Sequence, residues 1–498
     1  MAQSLPSHHI TPADLRGKRL HFMGIGGSGI TAVVQMALLE GAHCTGCEQT
    51  LSSNAEWIAG KGVPVVEGHD PAHLDAGVDI LIIVPAVMKL DPNNPEVAEA
   101  KRRGIPVIDW QAVLGAFMAG KFGISVAGVH GKGTVTAMIS QILIDAGKDP
   151  TCEVGAIVPK WQGNVRMGKS DLFVNEADEF NLNFLHYHPR LAVITSIEFE
   201  HPEFFNNYDE LRAAFDAFVA GMDFEGQWAY PTTLVLNWDS PGCQELRNRM
   251  GAWPGQIISY ALDGPADYMG DDVQLADETS FHAHDAKGND LGRFTLPLPG
   301  RYNVENALAA IATTREMGVE ADSIRATLAH YSSVYRRFQV THAANDIIVI
   351  DDYAHHPTAI QVTLEAIRQR YPNRRLVATF QPHMFTRLKT FLEDFSHVFG
   401  LADDVVIVDV FPARERDTGL IHSRDLVAAI QRDQHFTSRP DRVHYGGSLE
   451  QTRVLLESLV QPSDELALMG SGNVYDISGA LLRSPSFAGF DPTAHHVH

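Results

Sequence analysis

Two glycine-rich loops, each caught between a strand-like apolar run and a helical segment, constrain this chain more than any other feature. The second is the richer in chemistry. Gly123-Ile124-Ser125-Val126 leads into Ala127-Gly128-Val129-His130-Gly131-Lys132-Gly133-Thr134, and a helix is predicted from Ala137 to Ala146. Strand, glycine loop and helix in that order form a phosphate cradle, because backbone N–H groups converge at a helix N-terminus whose partial charge favours anions. Lys132 adds a full charge, so Gly128, His130, Gly131, Lys132, Gly133 and Thr134 are the expected ATP contacts. The spacing departs from the strict P-loop, which wants a hydroxyl directly after the lysine. Gly133 stands there, and a magnesium contact falls to Thr134 or Thr136.

The first loop follows a strand at Arg19–Met23. Gly24-Ile25-Gly26-Gly27-Ser28-Gly29 fits G-x-G-x-x-G, a helix is expected from Ile30 to Glu40, and Glu48 follows the strand-like run Ala42–Cys47. Such a pattern opens a dinucleotide-binding fold with the acid near a ribose, which keeps an NAD-dependent oxidoreductase open as a reading. Two nucleotide-type loops about a hundred residues apart are hard to assign to one cofactor. One division gives a substrate's diphosphate to Gly24, Gly26, Gly27, Ser28 and Gly29, with Glu48 and His69 as further substrate contacts, and ATP to the second loop.

Strand candidates alternate with helices along the whole chain, which predicts an α/β protein with parallel sheets covered on both faces. The 498 residues suggest roughly three domains. We expect a Rossmann-like unit at 1–120, a P-loop-type ATPase unit at 121–333 and a second Rossmann-like unit at 334–498. A net charge of −22 argues against nucleic acid or an anionic membrane as partner. Met1–Lys18 has no signal-peptide core and no apolar run is long enough to span a bilayer, so a cytoplasmic location is expected. The four cysteines are too scattered for a disulfide scaffold, and Cys44-Thr45-Gly46-Cys47 reads as thiols at a strand end.

Ligands of open parallel sheets lie beyond the carboxyl ends of strands. Glu176 ends the run Asp171–Asn175, and His201 follows the run Leu191–Ile197; with Thr134 these are the expected magnesium ligands. Asp178 and Glu179 either capture an attacking ammonium beside the metal or serve as N-terminal helix charges. Asn303 and Asn306, one helical turn apart, can offer amides to a purine edge or act as caps. In the last third, polar loops follow strands at Asp351–Pro357 and Gln381–Arg387; His355 and His356 are expected as polar walls, and Arg387 as a partner for a carboxylate. The tail from Ser484 has no periodicity and reads as a frayed end.

Taken together these motifs resemble the Mur ligases, from about Leu20 to Gly472: His-Phe-Met-Gly-Ile-Gly-Gly at 21–27, Gly-Val-His-Gly-Lys at 128–132, Glu-Ala-Asp-Glu at 176–179, Ile-Glu-Phe-Glu-His at 197–201, Gly-Arg-Tyr-Asn-Val-Glu-Asn at 300–306, Arg-Arg-Phe at 336–338, Asp-Asp-Tyr-Ala-His-His-Pro at 351–357 and Phe-Gln-Pro-His at 380–383. The resemblance implies ADP-forming amide ligation through an acyl phosphate, with ATP and Mg2+ as cofactors. It implies UDP-N-acetylmuramate and an amino acid, L-alanine, as substrates of a monomer or homodimer, with a tripeptide as the alternative acceptor. Carried over residue by residue, Lys132 holds phosphates, Glu176 and His201 hold magnesium, and Asn306, Arg337 and Asp352 hold adenine, the phosphate side and ribose. His355 and Arg387 line the amino-acid pocket. This chain departs from the family at Gly133, at Cys47-Glu48, at Val84–Val87, and at Phe215, where several members carry a carbamylated lysine.

Overall fold

Short apolar runs punctuated by glycine become parallel strands in the computed structural model, which describes residues 11–276, 278–342 and 344–484. The expectation for the tail falls outside the described residues beyond Ser484, as does that for the N-terminus up to Ile10. By internal contacts the chain forms two units. The first takes in the chain up to Glu198, Asp209–Asp267 and Ala309–Ile324; the second takes in Phe199–Tyr208, Tyr268–Leu308 and Arg325 onward.

In the first unit, β1 (Arg19–Met23), β2 (His43–Glu48), β3 (Val65–Glu67), β4 (Ile80–Ile83) and β5 (Val107–Asp109) form a parallel sheet in the order β3-β2-β1-β4-β5. All four residues of β4 are buried, as a strand covered on both faces requires. The order reverses beside β1, so the first glycine loop leaves the sheet at its topological switch point.

The same unit holds β6 (Phe122–Ala127), β7 (Thr151–Val158), β8 (Gly163–Arg166), β9 (Leu172–Glu176), β10 (Leu191–Ile194), β11 (Thr233–Asn237) and β12 (Gln256–Ala261). They lie in the order β12-β11-β10-β6-β9-β7-β8, with β8 antiparallel to β7. β6 lies between β10 and β9, so the second glycine loop also leaves at a reversal of strand order. Phe215 is fully buried with its ring 5.3 Å from that of Phe184, an apolar core contact.

The second unit contains an antiparallel ribbon of β13 (Tyr268–Leu275), β14 (Thr279–His284) and β15 (Asp290–Leu296), which the sequence patterning does not reveal. Its main sheet is built from β16 (Gln339–His342), β17 (Ile348–Asp352), β18 (Leu376–Phe380), β19 (Asp404–Val408), β20 (Val443–Gly447) and β21 (Glu465–Met469), in the order β16-β17-β21-β18-β19-β20. Only β16 runs antiparallel among these six described strands. Among the described residues no helix is long and apolar enough to cross a membrane.

Candidate functional site

The loop after β6 is pinned from the side by residues expected to belong to a longer β10. That strand stops at Ile194. Thr195 and Ser196 turn aside to hold the loop: Ser196 O accepts from Val129 N at 3.0 Å, Ser196 Oγ accepts from His130 N at 3.0 Å, and Thr195 Oγ1 donates to Ala127 O at 3.2 Å and to His130 O. Gly128 has φ 129°, and a Cβ there would collide with Thr195 Oγ1. Gly131, at φ 77°, is the N-cap of a helix that begins at Lys132 rather than at Ala137. The early turn escaped periodicity because Lys132, Gly133 and Thr134 show no apolar stripe, and the helix is buried almost all round.

That early start puts Lys132 and Thr134 in the first helical turn, where the N–H groups have no intrahelical partner. Thr136 Oγ1 donates to Lys132 O at 2.8 Å, back into the helix's own first turn. Gly133 lies against β9: a Cβ there would stand 3.0 Å from Glu176 Oε2, which itself accepts from Gly155 N at 2.8 Å. A serine or threonine at 133 would have to displace that carboxylate.

Lys132 Nζ sits 2.7 Å from Glu179 and 3.8 Å from Asp178. Burial pulls its pKa down, but the charges of Glu179, Asp178 and Glu176 outweigh it, and the lysine stays protonated. Glu153 on β7 is fully buried, and burial together with the charges of Glu176 and Asp178 pushes its pKa well up. One lysine beside Glu176, Asp178 and Glu179 leaves the rim rich in negative charge, so a polyphosphate fits only with a divalent cation beside it. The donors present suit such a cation, since magnesium takes hard oxygen ligands and Glu176, Asp178 and Thr134 supply them. His130 forms an ion pair with Glu198 at the loop's edge.

At the first glycine loop, Gly24 N donates to Cys47 O at 2.9 Å, and the backbone at Gly26 and Gly29 comes so close to Glu48 and to the Trp110 ring that no Cβ fits. Gly27 is the N-cap of a helix that starts at Ser28, and Ser28 O accepts from Asn164 Nδ2 at 2.7 Å. Glu48, expected near a ribose, accepts from Ser52 Oγ at 2.8 Å and Ser52 N at 3.2 Å. Its carboxylate therefore braces the loop after β2. His69 lies with Nδ1 3.2 Å from Cys47 Sγ, and burial holds its pKa below the usual range.

In the second unit the loops after β17 and β18 close around a buried ion pair. Arg387 places Nε and Nη2 at 2.9 and 2.6 Å from Glu200 Oε1, and Nη1 at 2.9 Å from His383 Nδ1. The carboxylate expected for Arg387 is thus one of the chain's own, and the guanidinium is 1% exposed. Burial alone would raise the pKa of Glu200; Arg387, His201 and the neighbouring histidines hold it well down instead. His201, at φ 56°, has Nδ1 3.0 Å from Glu203 Oε1, which also meets Arg414 Nη2 at 3.1 Å. That carboxylate–histidine pairing orders a ring as it does in metal sites. His355 donates from Nδ1 to Tyr353 O at 2.9 Å, and burial and Arg387 keep it and His383 neutral.

Several expected contacts have structural duties here. Asp352 accepts from Phe338 N and Ala354 N, both at 2.8 Å, tying two loops together instead of standing open. Arg337 lies over the Tyr353 ring at 5.0 Å. Asn303 Nδ2 donates to Pro299 O at 2.7 Å and its Oδ1 accepts from Asn306 Nδ2 at 3.3 Å, so the two amides are linked to each other and to the turn before the helix. Sequence reasoning missed Glu153, Glu200 and Thr195 as site residues. Only the polar letters following apolar runs pointed to Glu200 and Thr195, and Glu153 lies inside a strand.

Comparison with known proteins gives three consecutive matches: the Mur ligase family catalytic domain over residues 19–122, the Mur ligase middle domain over 126–314, and the Mur ligase glutamate ligase domain over 336–472. A UDP-N-acetylmuramate–L-alanine ligase of Agathobacter rectalis is 36% identical over 467 residues, covering 93% of this chain and 97% of that protein. One from Solibacter usitatus is 36% identical over 482 residues, covering 96% and 97%. Among solved structures, the UDP-N-acetylmuramate–alanine ligase of Thermotoga maritima matches with a TM-score of 0.77 at 24% identity, covering 93% of this chain and 98% of that one. A murein peptide ligase of Psychrobacter arcticus matches with a TM-score of 0.70 at 22% identity, covering 94% and 98%. These two likenesses speak to the fold.

Proposed function

The chain belongs to the Mur ligase family, and from that premise we propose that it is the ADP-forming ligase that joins L-alanine to UDP-N-acetylmuramate. The sugar carboxylate attacks the γ-phosphate of ATP, giving an acyl phosphate and ADP, and the amine of alanine displaces phosphate through a tetrahedral intermediate. Phosphoryl transfer asks for charge neutralisation and in-line placement more than for a protein nucleophile. The observation that carries the reading is Lys132, charged and only 12% exposed in the first turn of a helix whose glycine loop is strapped by Thr195 and Ser196.

In this reading Lys132 and the N–H groups of Gly131–Thr134 bind the triphosphate, and Lys132 exchanges Glu179 for phosphate when ATP enters. Glu176 and Thr134 would hold magnesium, which supplies charge neutralisation of the phosphates. Glu200 and Arg387 act as positioning residues that fix His383 and the loop after β18, with His355 lining the amino-acid pocket. Asn306, Arg337 and Asp352 belong to the nucleoside end, and the first glycine loop with His69 to the UDP-sugar. The division at 1–120, 121–333 and 334–498, a cytoplasmic location and a monomer or homodimer complete the proposal.

Phosphate release from ATP should require UDP-N-acetylmuramate and L-alanine together, and a panel of amino acids and the murein tripeptide tests the choice of acceptor. Turnover with the tripeptide and none with L-alanine would replace this assignment. Lys132→Ala should lower kcat by about a hundredfold or more, as loss of one preorganised charge does. A variant keeping more than about a tenth of the rate contradicts the role of Lys132.

A further inference from the structure

We propose that the first unit carries a zinc site formed by His21, Cys47, His73 and Glu96. The four come from separate elements. His21 lies on β1 and Cys47 on β2; because Met23 is level with Cys47, both side chains fall on one face of the sheet. His73 belongs to a short 3-10 turn at Pro71–Ala76, and Glu96 to the first turn of the helix Pro95–Arg103, whose N-terminus Asn94 caps.

Their donor atoms already form a cluster of metal-site dimensions. His21 Nε2 is 3.0 Å from Glu96 Oε1, His73 Nδ1 is 3.1 Å from Glu96 Oε2, and Cys47 Sγ is 3.5 Å from the same oxygen. One donor atom from each residue lies within 4.8 Å of all the others. Zinc bonds of about 2.0–2.3 Å in a tetrahedron set donors roughly 3.3–3.8 Å apart, so small side-chain shifts complete the site. A thiolate, two imidazoles and one carboxylate form a zinc-type donor set and a poor one for magnesium, which separates this cluster from the phosphate site.

The charges point the same way. Glu96 is fully buried, and its ion-pair partners among the described residues are histidines only. His21 Nε2 and Glu96 Oε1 are buried and close, yet neither makes a hydrogen bond of acceptable geometry among the described residues. Thr45 Oγ1, 2.8 Å from His21 Nδ1, fixes the ring so that Nε2 faces the cluster, as outer partners of ligating histidines do. Zn2+ would displace the Cys47 proton and balance thiolate and carboxylate together. Binding there pins the 3-10 turn and the Pro95–Arg103 helix to β1 at His21, three residues before Gly24 opens the first glycine loop.

The test uses the full chain, stripped with a chelator and reloaded with Zn2+ or Co2+ alone. One metal ion per chain should be retained after dialysis, and Co2+ should give a thiolate-to-metal charge-transfer band. Cys47→Ala should abolish the band, and His73→Asn, at the most exposed ligand, should weaken zinc binding about tenfold or more while keeping the band. Cys152→Ala, on β7 outside the cluster, should change neither. A parent chain without the band, a band that survives Cys47→Ala, or zinc bound as tightly by His73→Asn as by the parent overturns the site.

Discussion

Replacing Arg387 by methionine keeps most of the side chain's length and removes its charge. The guanidinium is 1% exposed and the Glu200 carboxylate 4%, with contacts of 2.6 and 2.9 Å. Arg387→Met leaves Glu200 with the His201 N–H at 2.9 Å as a donor but without its guanidinium. Removing one member of a buried pair costs about 3–5 kcal/mol, because the remaining charge stays out of water. At about 2–4 °C per kcal/mol, the unfolding transition of the second unit should fall by about 6–20 °C in differential scanning calorimetry. Adding Glu200→Gln should restore much of the loss, since a neutral amide is far easier to bury.

The pH dependence has a definite sign. The folded pKa of Glu200 is held well below its ordinary 4.5, so the pair's contribution is fully present above pH 4.5 and is lost as pH falls through the lowered value. The deficit of Arg387→Met should therefore be complete at neutral pH and shrink only in acid. A drop under about 2 °C, or a double variant as unstable as the single one, would refute this account of the pair.

Gly128→Ala forces φ 129° on a residue with a Cβ and drives that carbon into Thr195, so the loop must leave its hydrogen bonds. The expected cost is about 1–3 kcal/mol of stability, with a raised KM for ATP; unchanged melting and kinetics would show the loop is less tightly held. Asp351 is buried, and burial pushes its pKa up to about 7 from 3.8. A raised carboxyl pKa means stability declines as pH climbs from 3.8 to about 7 and then levels off, a range of about 4 kcal/mol. Asp351→Asn should flatten this slope in thermal melts across pH, and a slope parallel to the parent's would contradict it.

Local chemistry was enough to place both glycine loops, because a strand end, a glycine at positive φ and a helix N-terminus are decided within a dozen residues. The β-ribbon was hidden, since Asp271 and Asp272 interrupt the alternation of β13 and its register shifts between Asp271 and Gln274. Glu200 and Arg387 stand 187 residues apart, and nothing near either one announces the other. The cysteines make the same point in reverse. Cys44 and Cys47 have a spacing that suggests a shared metal, but three residues along a strand put them on opposite faces. Sequence alone placed the glycine loops between strand and helix, because that depends on backbone conformation. Which side chains share a buried charge was left to the tertiary structure, because burial makes partners of residues that the chain keeps far apart.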